Sequence, residues 1–228
     1  MARELPAKPP KSFELRGDYC ESVQLEKHLT QQLELVTCNQ NGQRRRASSG
    51  KWIADRQMVC VDTPKGNTWL IHGHVSNGQL LLIPIEALYL VEHGNLIVTN
   101  EDHVISREEA YTIFLTAAAA LDHVTLEHYQ VYAHLMRTGL IVYVTRVFSH
   151  GPILEVYKHC KSFKKTQPGT PYAHVIIVRP SDPFPTNPPS LLGTKSLLLY
   201  AIVDTSGDIT YYQIQSTGGA VIQVLSQP

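Results

Sequence analysis

The spacing of apolar residues divides this chain into helix-like and strand-like stretches. Leu25, Leu29, Leu33 and Val36 recur at a helical period, which predicts a helix near residues 23–35. Residues 1–22 mix Pro, Lys and charge without periodicity and read as a loose arm. Residues 39–50 read as a polar loop carrying Arg44, Arg45 and Arg46. Residues 58–61, 69–75 and 80–83 carry β-branched, aromatic and aliphatic side chains between the turn signals at 64–67 and 76–78, and they read as strands. Pro84 suits the first turn of a helix over IEALYLVEH, which Gly94 ends. Residues 96–99 read as a strand. Ser106 with Glu109 is a capping box opening a helix through Phe114, which 117–120 extends or frays.

The stretch 122–124 reads as a boundary. Thr125 caps a further helix, LEHYQVYAHLMRT, which Gly139 closes. Strands are then predicted at 140–147, 153–157, 173–178, 197–203 and 209–215, the last two forming a hairpin about the turn 204–208. Five prolines between Arg179 and Gly193 mark that interval as a loop. This order predicts an α+β protein: an N-terminal arm with one helix (1–47), a small α/β domain (48–121), and a C-terminal domain with a mixed sheet and flanking helices (122–228).

Composition narrows the function classes. The chain has 228 residues with 20 Lys+Arg against 20 Asp+Glu, so a polycationic nucleic-acid binder is excluded and any such contact needs local basic patches. Hydrophobic residues at 43% supply a core, and charged residues at 18% exclude disorder throughout. Cys20, Cys38, Cys60 and Cys160 form no CxxC pair, which argues against a structural zinc site or a disulfide scaffold and fits a reducing compartment. The N-terminus carries no apolar core of a secretory signal, and no apolar run approaches the length of a membrane span. A soluble, intracellular protein is expected.

Three passages, in this order, carry a resemblance. They are LLIPIEALYLVEHGNLIV with SREEAYTIFL; LEHYQVYAHLMRTGLIVYV with LEVYKHCKSFKKTQPGTP; and KSLLLYAIVDTSGDITYYQIQ. Together they resemble the tRNA-splicing endonuclease family over residues 25–216. PIEALYL and FKKTQPGTP look most like its larger non-catalytic structural subunit, the Sen-fifty-four type. Members of that class often carry a long low-complexity insert between their two halves, which this chain lacks. The resemblance implies an endonuclease-like C-terminal domain in a four-subunit hetero-oligomer, two subunits catalytic and two structural. Such an assembly excises introns from precursor tRNA without a metal or other cofactor, and a nuclear location is expected.

The family's cleavage needs a base on the attacking 2′-hydroxyl, an acid on the leaving oxygen and a cation on the phosphate. Its catalytic subunits use Tyr, His and Lys. By position the resemblance places Tyr157, His174 and Lys195 in those roles. The segment SDPFPTNPPSLLG before Lys195 cannot form the helix that catalytic subunits place there. A degenerate triad, with no catalytic residue, is therefore expected. The alternative is that the chain is itself a metal-independent ribonuclease using these residues.

The segment YKHCKSFKK interleaves Lys158, His159, Lys161, Lys164 and Lys165 with Tyr157 and Phe163, a mix suited to phosphate contact and base stacking. Arg44, Arg45 and Arg46 form a second candidate RNA contact. His72 and His74 share a predicted strand face, but no third ligand lies nearby in sequence, so they read as a structural or surface pair. Cys160 sits among basic residues without a nucleophile motif and receives no role. The last strand, with Tyr211, Tyr212 and Ile214, offers an edge for pairing with another chain. The resemblance implies that this strand meets a catalytic partner, and that the turn with Asp204 and Asp208 docks into a different subunit's basic groove.

Overall fold

The computed structural model describes residues 47–101, 103–147, 151–160, 163–179, 196–215 and 221–225. The loose arm, the helix read at 23–35, Arg44 to Arg46, Lys161, Lys195 and the proline-rich interval 180–193 lie outside the described residues. Among the described residues, two mixed sheets and three α-helices make up the architecture, as the α+β reading anticipates.

The first sheet contains β1 (Ser48–Ile53), β2 (Met58–Thr63), β3 (His74–Ser76), β4 (Gln79–Leu82), β5 (Leu96–Asn100) and β6 (His103–Val104), in the order β3-β4-β2-β1-β5-β6. Its one parallel pair is β1 with β5. Helix α1 (Pro84–Glu92) bridges β4 and β5, and it starts where Pro84 occupies the first turn. Helix α2 (Arg107–Asp122) follows β6. Its capping box forms as the sequence indicates: Ser106 N–H donates to Glu109 Oε2 at 2.8 Å and Glu109 N–H to Ser106 Oγ at 3.2 Å. The helix runs past Phe114 to Asp122, through the alanine-rich stretch, and ends on His123 in the left-handed region at φ 55°. That conformation lets Val124 N–H reach Ala118 O at 3.2 Å.

The second sheet follows α3 (Leu126–Arg137). It contains β7 (Leu140–Val147), β8 (Gly151–Lys158), β9 (Ala173–Val178), β10 (Leu197–Val203), β11 (Ile209–Gln215) and β12 (Val221–Leu225), with strands in reverse sequence order across the sheet. All neighbours are antiparallel except β9 with β10.

One apolar cluster joins both sheets. It includes Val59, Leu82 and Leu88 from the first part of the chain, Phe114 and Val124 from α2 and its end, and Tyr132, Val142, Leu154 and Ala201 from the rest. Phe114 is fully buried and its ring lies 5.2 Å from that of Trp52. Truncating such a side chain to Ala costs about 3–5 kcal/mol, because the cavity adds to the lost transfer energy. Helix α1 is buried on most of its circumference, including Glu86 in its first turn.

Three strand readings need correction. Residues 69–75 do not form one strand. A 3-10 turn occupies Thr68–Leu70, Trp69 Nε1 donates to Lys65 O at 3.1 Å, and Gly73 at φ +71° breaks the extended run before β3. Residues 48–53, read within or beside a polar loop, form β1 between two partners. A Cβ at Gly50 would sit 2.7 Å from Cys60 O, so glycine permits that close strand approach. Finally, β11 is not the last strand of its sheet: β12 pairs along its outer side.

Candidate functional site

Two members of the expected triad, Tyr157 and His174, lie on the paired strands β8 and β9. Glu155 stands opposite His174, and Val156 opposite Ala173. Tyr157 is buried, and its hydroxyl donates to Glu155 Oε2 at 2.9 Å. Its ring packs edge-on against Tyr143 at 5.8 Å and Phe163 at 6.0 Å. Burial and the Glu155 carboxylate both push the Tyr157 hydroxyl well above the usual phenol range. A phenol held this way is a poor base for a 2′-hydroxyl, since a base works best near the operating pH. His174 is buried on β9. Sequence reasoning missed Glu155. Its place two residues before Tyr157 on a strand was the available signal, because such residues share a face.

The basic segment between β8 and β9 splits into outward and inward parts. Lys158, His159 and Lys164 are exposed, and the Lys158 ammonium lies 4.1 Å from the centre of the exposed Tyr172 ring. Lys165 differs from the reading that made it a phosphate contact. It is partly buried, and its Nζ donates to the His72 carbonyl at 2.7 Å. Desolvation lowers the tendency of that ammonium to stay protonated.

Around that contact lies a buried polar cluster. Glu86 accepts from Gly73 N–H at 3.2 Å and from Ile83 N–H at 3.4 Å, both at Oε2. Burial pushes the Glu86 carboxyl up to about 7, against the pull of Lys165 and the two backbone donors. His72 is 2% exposed, and burial, helped by the Lys165 charge, holds its imidazole down to about 4. His74, by contrast, is exposed. The two histidines therefore occupy different environments and do not share a strand face. Among the described residues, no group of three His, Cys, Asp or Glu is placed to hold a metal.

The acidic turn between β10 and β11 is internally ordered. Asp204 Oδ1 accepts from the backbone N–H groups of Ser206 and Asp208, each at 2.9 Å, and from Ser206 Oγ at 2.7 Å. These donors, Ser206 first, hold the Asp204 carboxyl below the usual carboxylate range. Gly207 adopts φ +90°, which favours glycine. Asp204 and Asp208 are both exposed at the tip. Beside the turn, Gly207 and Ile209 line a cleft with Tyr129, His134 and Arg137 of α3 and Glu92 of α1. Tyr129 donates to Glu92, which also pairs with Arg137 at 3.1 Å.

Strand β11 presents its two tyrosines to opposite faces. Tyr211 packs against the large cluster, with its ring 5.9 Å from His134, while Tyr212 packs against a smaller cluster that contains Ile176 and Tyr200. Both backbone edges of β11 are paired, one with β10 and one with β12. The expectation of an unpaired edge at 209–214 is thereby corrected. On that side of the sheet the outer strand is β12.

Comparison with known proteins bears on the first sheet most directly. A family profile described as "tRNA-splicing endonuclease subunit sen54 N-term" matches residues 38–100. The chain is 33% identical to the tRNA-splicing endonuclease subunit Sen54 of Mus musculus over 110 residues, 48% of this chain and 20% of the relative. Over the matched residues the chain is homologous to Sen54 subunits. A probable tRNA-splicing endonuclease subunit sen54 of Schizosaccharomyces pombe is 33% identical over 93 residues, 40% of this chain and 23% of that protein. The matches thus span about a fifth of the length of these Sen54 relatives. A tRNA-splicing endonuclease of Pyrococcus abyssi is 26% identical over 149 residues, 63% of this chain and 80% of its own length. The Sen54 profile covers β1 to β5 and α1, and so includes His72, Gly73 and Glu86.

Proposed function

We propose that this chain is a non-catalytic structural subunit of a tRNA-splicing endonuclease, which assembles with related subunits and helps position precursor tRNA. Homology to the Sen54 family supports the role. The observation that carries its non-catalytic part is the Tyr157 hydroxyl, buried and donated to Glu155. In this reading the ordered, exposed Asp204–Asp208 turn meets a basic groove of another subunit, and the outer edge of β12 pairs with a catalytic partner. The exposed Lys158 and Lys164 touch the RNA backbone, with Tyr172 beside them as a stacking surface. Arg44, Arg45, Arg46 and Lys161, outside the described residues, are further RNA contacts in this reading. A nuclear location goes with this role and is checked by imaging a tagged chain.

Co-expression with three related subunits tests the proposal. The expected result is a stable hetero-oligomer that cleaves precursor tRNA, while this chain alone does not. Cleavage by the purified chain alone, abolished in Tyr157→Phe, would instead make it a ribonuclease.

A further inference from the structure

Lys165 and Glu86 are 79 positions apart in sequence, yet they act on the same peptide group. The carbonyl of His72 and the N–H of Gly73 belong to one planar amide. Lys165 Nζ donates to that carbonyl at 2.7 Å, and Glu86 Oε2 accepts from that N–H at 3.2 Å. The ammonium sits at the negative end of the amide dipole and a Glu86 carboxyl oxygen accepts at its positive end, so the two hydrogen bonds polarise the amide in the same sense and support each other. We propose that this amide is a clamp that fastens the β8–β9 connection to the first sheet, with Lys165 as its attachment point.

Three further features fit a built clamp. Gly73 holds φ +71°, and a Cβ there would meet Leu81 O at 2.9 Å and Leu80 Cδ1 at 3.1 Å, so another residue would displace the gripped amide. Glu86 is fixed from behind, because its Oε2 also accepts from Ile83 N–H at the start of α1. Phe163, two residues before Lys165, packs on Tyr143 and Tyr157 of the second sheet at 6.4 and 6.0 Å. The connection is therefore seated on the second sheet by an aromatic ring and on the first by an ammonium. Lys164, between these anchors, is left exposed. The clamp sets how the outward cations stand relative to the first sheet, and it needs no RNA to exist.

The test uses the full-length chain and backbone hydrogen exchange. Lys165→Met keeps most of the side-chain length and removes the donor. It should speed exchange at Gly73 and across 163–172 by about tenfold or more, and leave β9 and β10 unchanged. Lys164→Met, one position away, should leave all of these rates within about twofold. If Lys165→Met also stays within twofold while folded, there is no clamp. Should that variant not fold, the wild-type chain decides: the Lys165 ammonium protons should exchange with water at least about tenfold more slowly than those of Lys164 in nitrogen-resolved NMR. Equal exchange at the two lysines overturns the inference.

Discussion

Tyr157 and Glu155 stand two residues apart on β8, and the tyrosine hydroxyl donates to the carboxylate at 2.9 Å. The pair is a self-contained hydrogen bond against a ring of aromatic neighbours, an arrangement that stabilises the strand and keeps the phenol protonated. Tyr157→Phe should therefore leave cleavage by the assembled enzyme within about threefold of wild type. It should cost roughly 1.5–3 kcal/mol of stability, the net value of a hydrogen bond to a charged group. Cleavage time courses and denaturant midpoints measure the two effects. A loss of cleavage by orders of magnitude with normal assembly would show that Tyr157 is catalytic.

Acid stability depends on three desolvated groups of opposite sign, His72 and Glu86 buried and His128 partly buried. His72 and His128 are both held down to about 4 from 6.5, chiefly by burial. The folded state binds their protons less readily, so their contribution is present above pH 6.5 and is lost as pH falls toward 4. Glu86 is pushed up to about 7 from 4.5. Its contribution is present below pH 4.5 and is lost as pH rises through 7, so acidification through that window favours the fold at Glu86. Two histidines against one carboxyl leave a net loss of stability on acidification. Glu86→Gln removes the opposing group and should steepen the loss by up to about 1.4 kcal/mol per pH unit between pH 4.5 and 7. Denaturant midpoints at several pH values check the slope, and an unchanged slope would mean that Glu86 does not titrate in this range.

Much of the fold was legible because local chemistry decided it. The Ser106–Glu109 box, Pro84 at the start of α1 and the turn before β11 each signal through neighbouring residues. The features that escaped are those decided by distant partners. Strand β1 lacks clear alternation and forms because β2 and β5 flank it. Strand β12 likewise exists as a partner of β11. Lys165 resembles one more surface cation in a basic run, since only the folded chain puts the His72 carbonyl beside it. Glu86 did leave a trace, being the one charged residue between Leu80 and Val91. A lone carboxylate in such a run is a candidate buried acid, and Gly73 interrupting the preceding apolar stretch marked the backbone that it binds.

Of the described lysines in the basic segment, Lys158 and Lys164 are exposed and Lys165 is engaged inward. Changing Lys158 and Lys164 together to Glu should weaken precursor tRNA binding without dissolving the complex. The slope of log affinity against log salt should fall by roughly one and a half, because each phosphate that is no longer neutralised removes slightly less than one unit. Titrations at several salt concentrations measure it. An unchanged affinity and slope would make this a solvated face that does not touch RNA.

The β12 strand decides whether the C-terminal sheet edge is an assembly element. Because β11 is paired on both sides, the outer strands of this sheet among the described residues are β12 and, at the far side, β7, and a partner strand would extend it there. Stopping the chain after Gln215 removes β12 and uncovers the β11 backbone, leaving β10 and the Asp204 turn in place. If pairing runs through the β12 edge, the shortened chain should no longer co-elute with the catalytic subunit in size-exclusion chromatography. Changing Asp204 and Asp208 together to Lys should act differently. Both carboxylates are exposed at the tip, so the variant should lose the local hydrogen bonds of the turn but fold and keep the strand-paired partner, while the four-subunit state is lost because like charges then face the basic groove. If the chain stopped after Gln215 still enters the complete assembly, the sheet edge at β12 is not the partner surface.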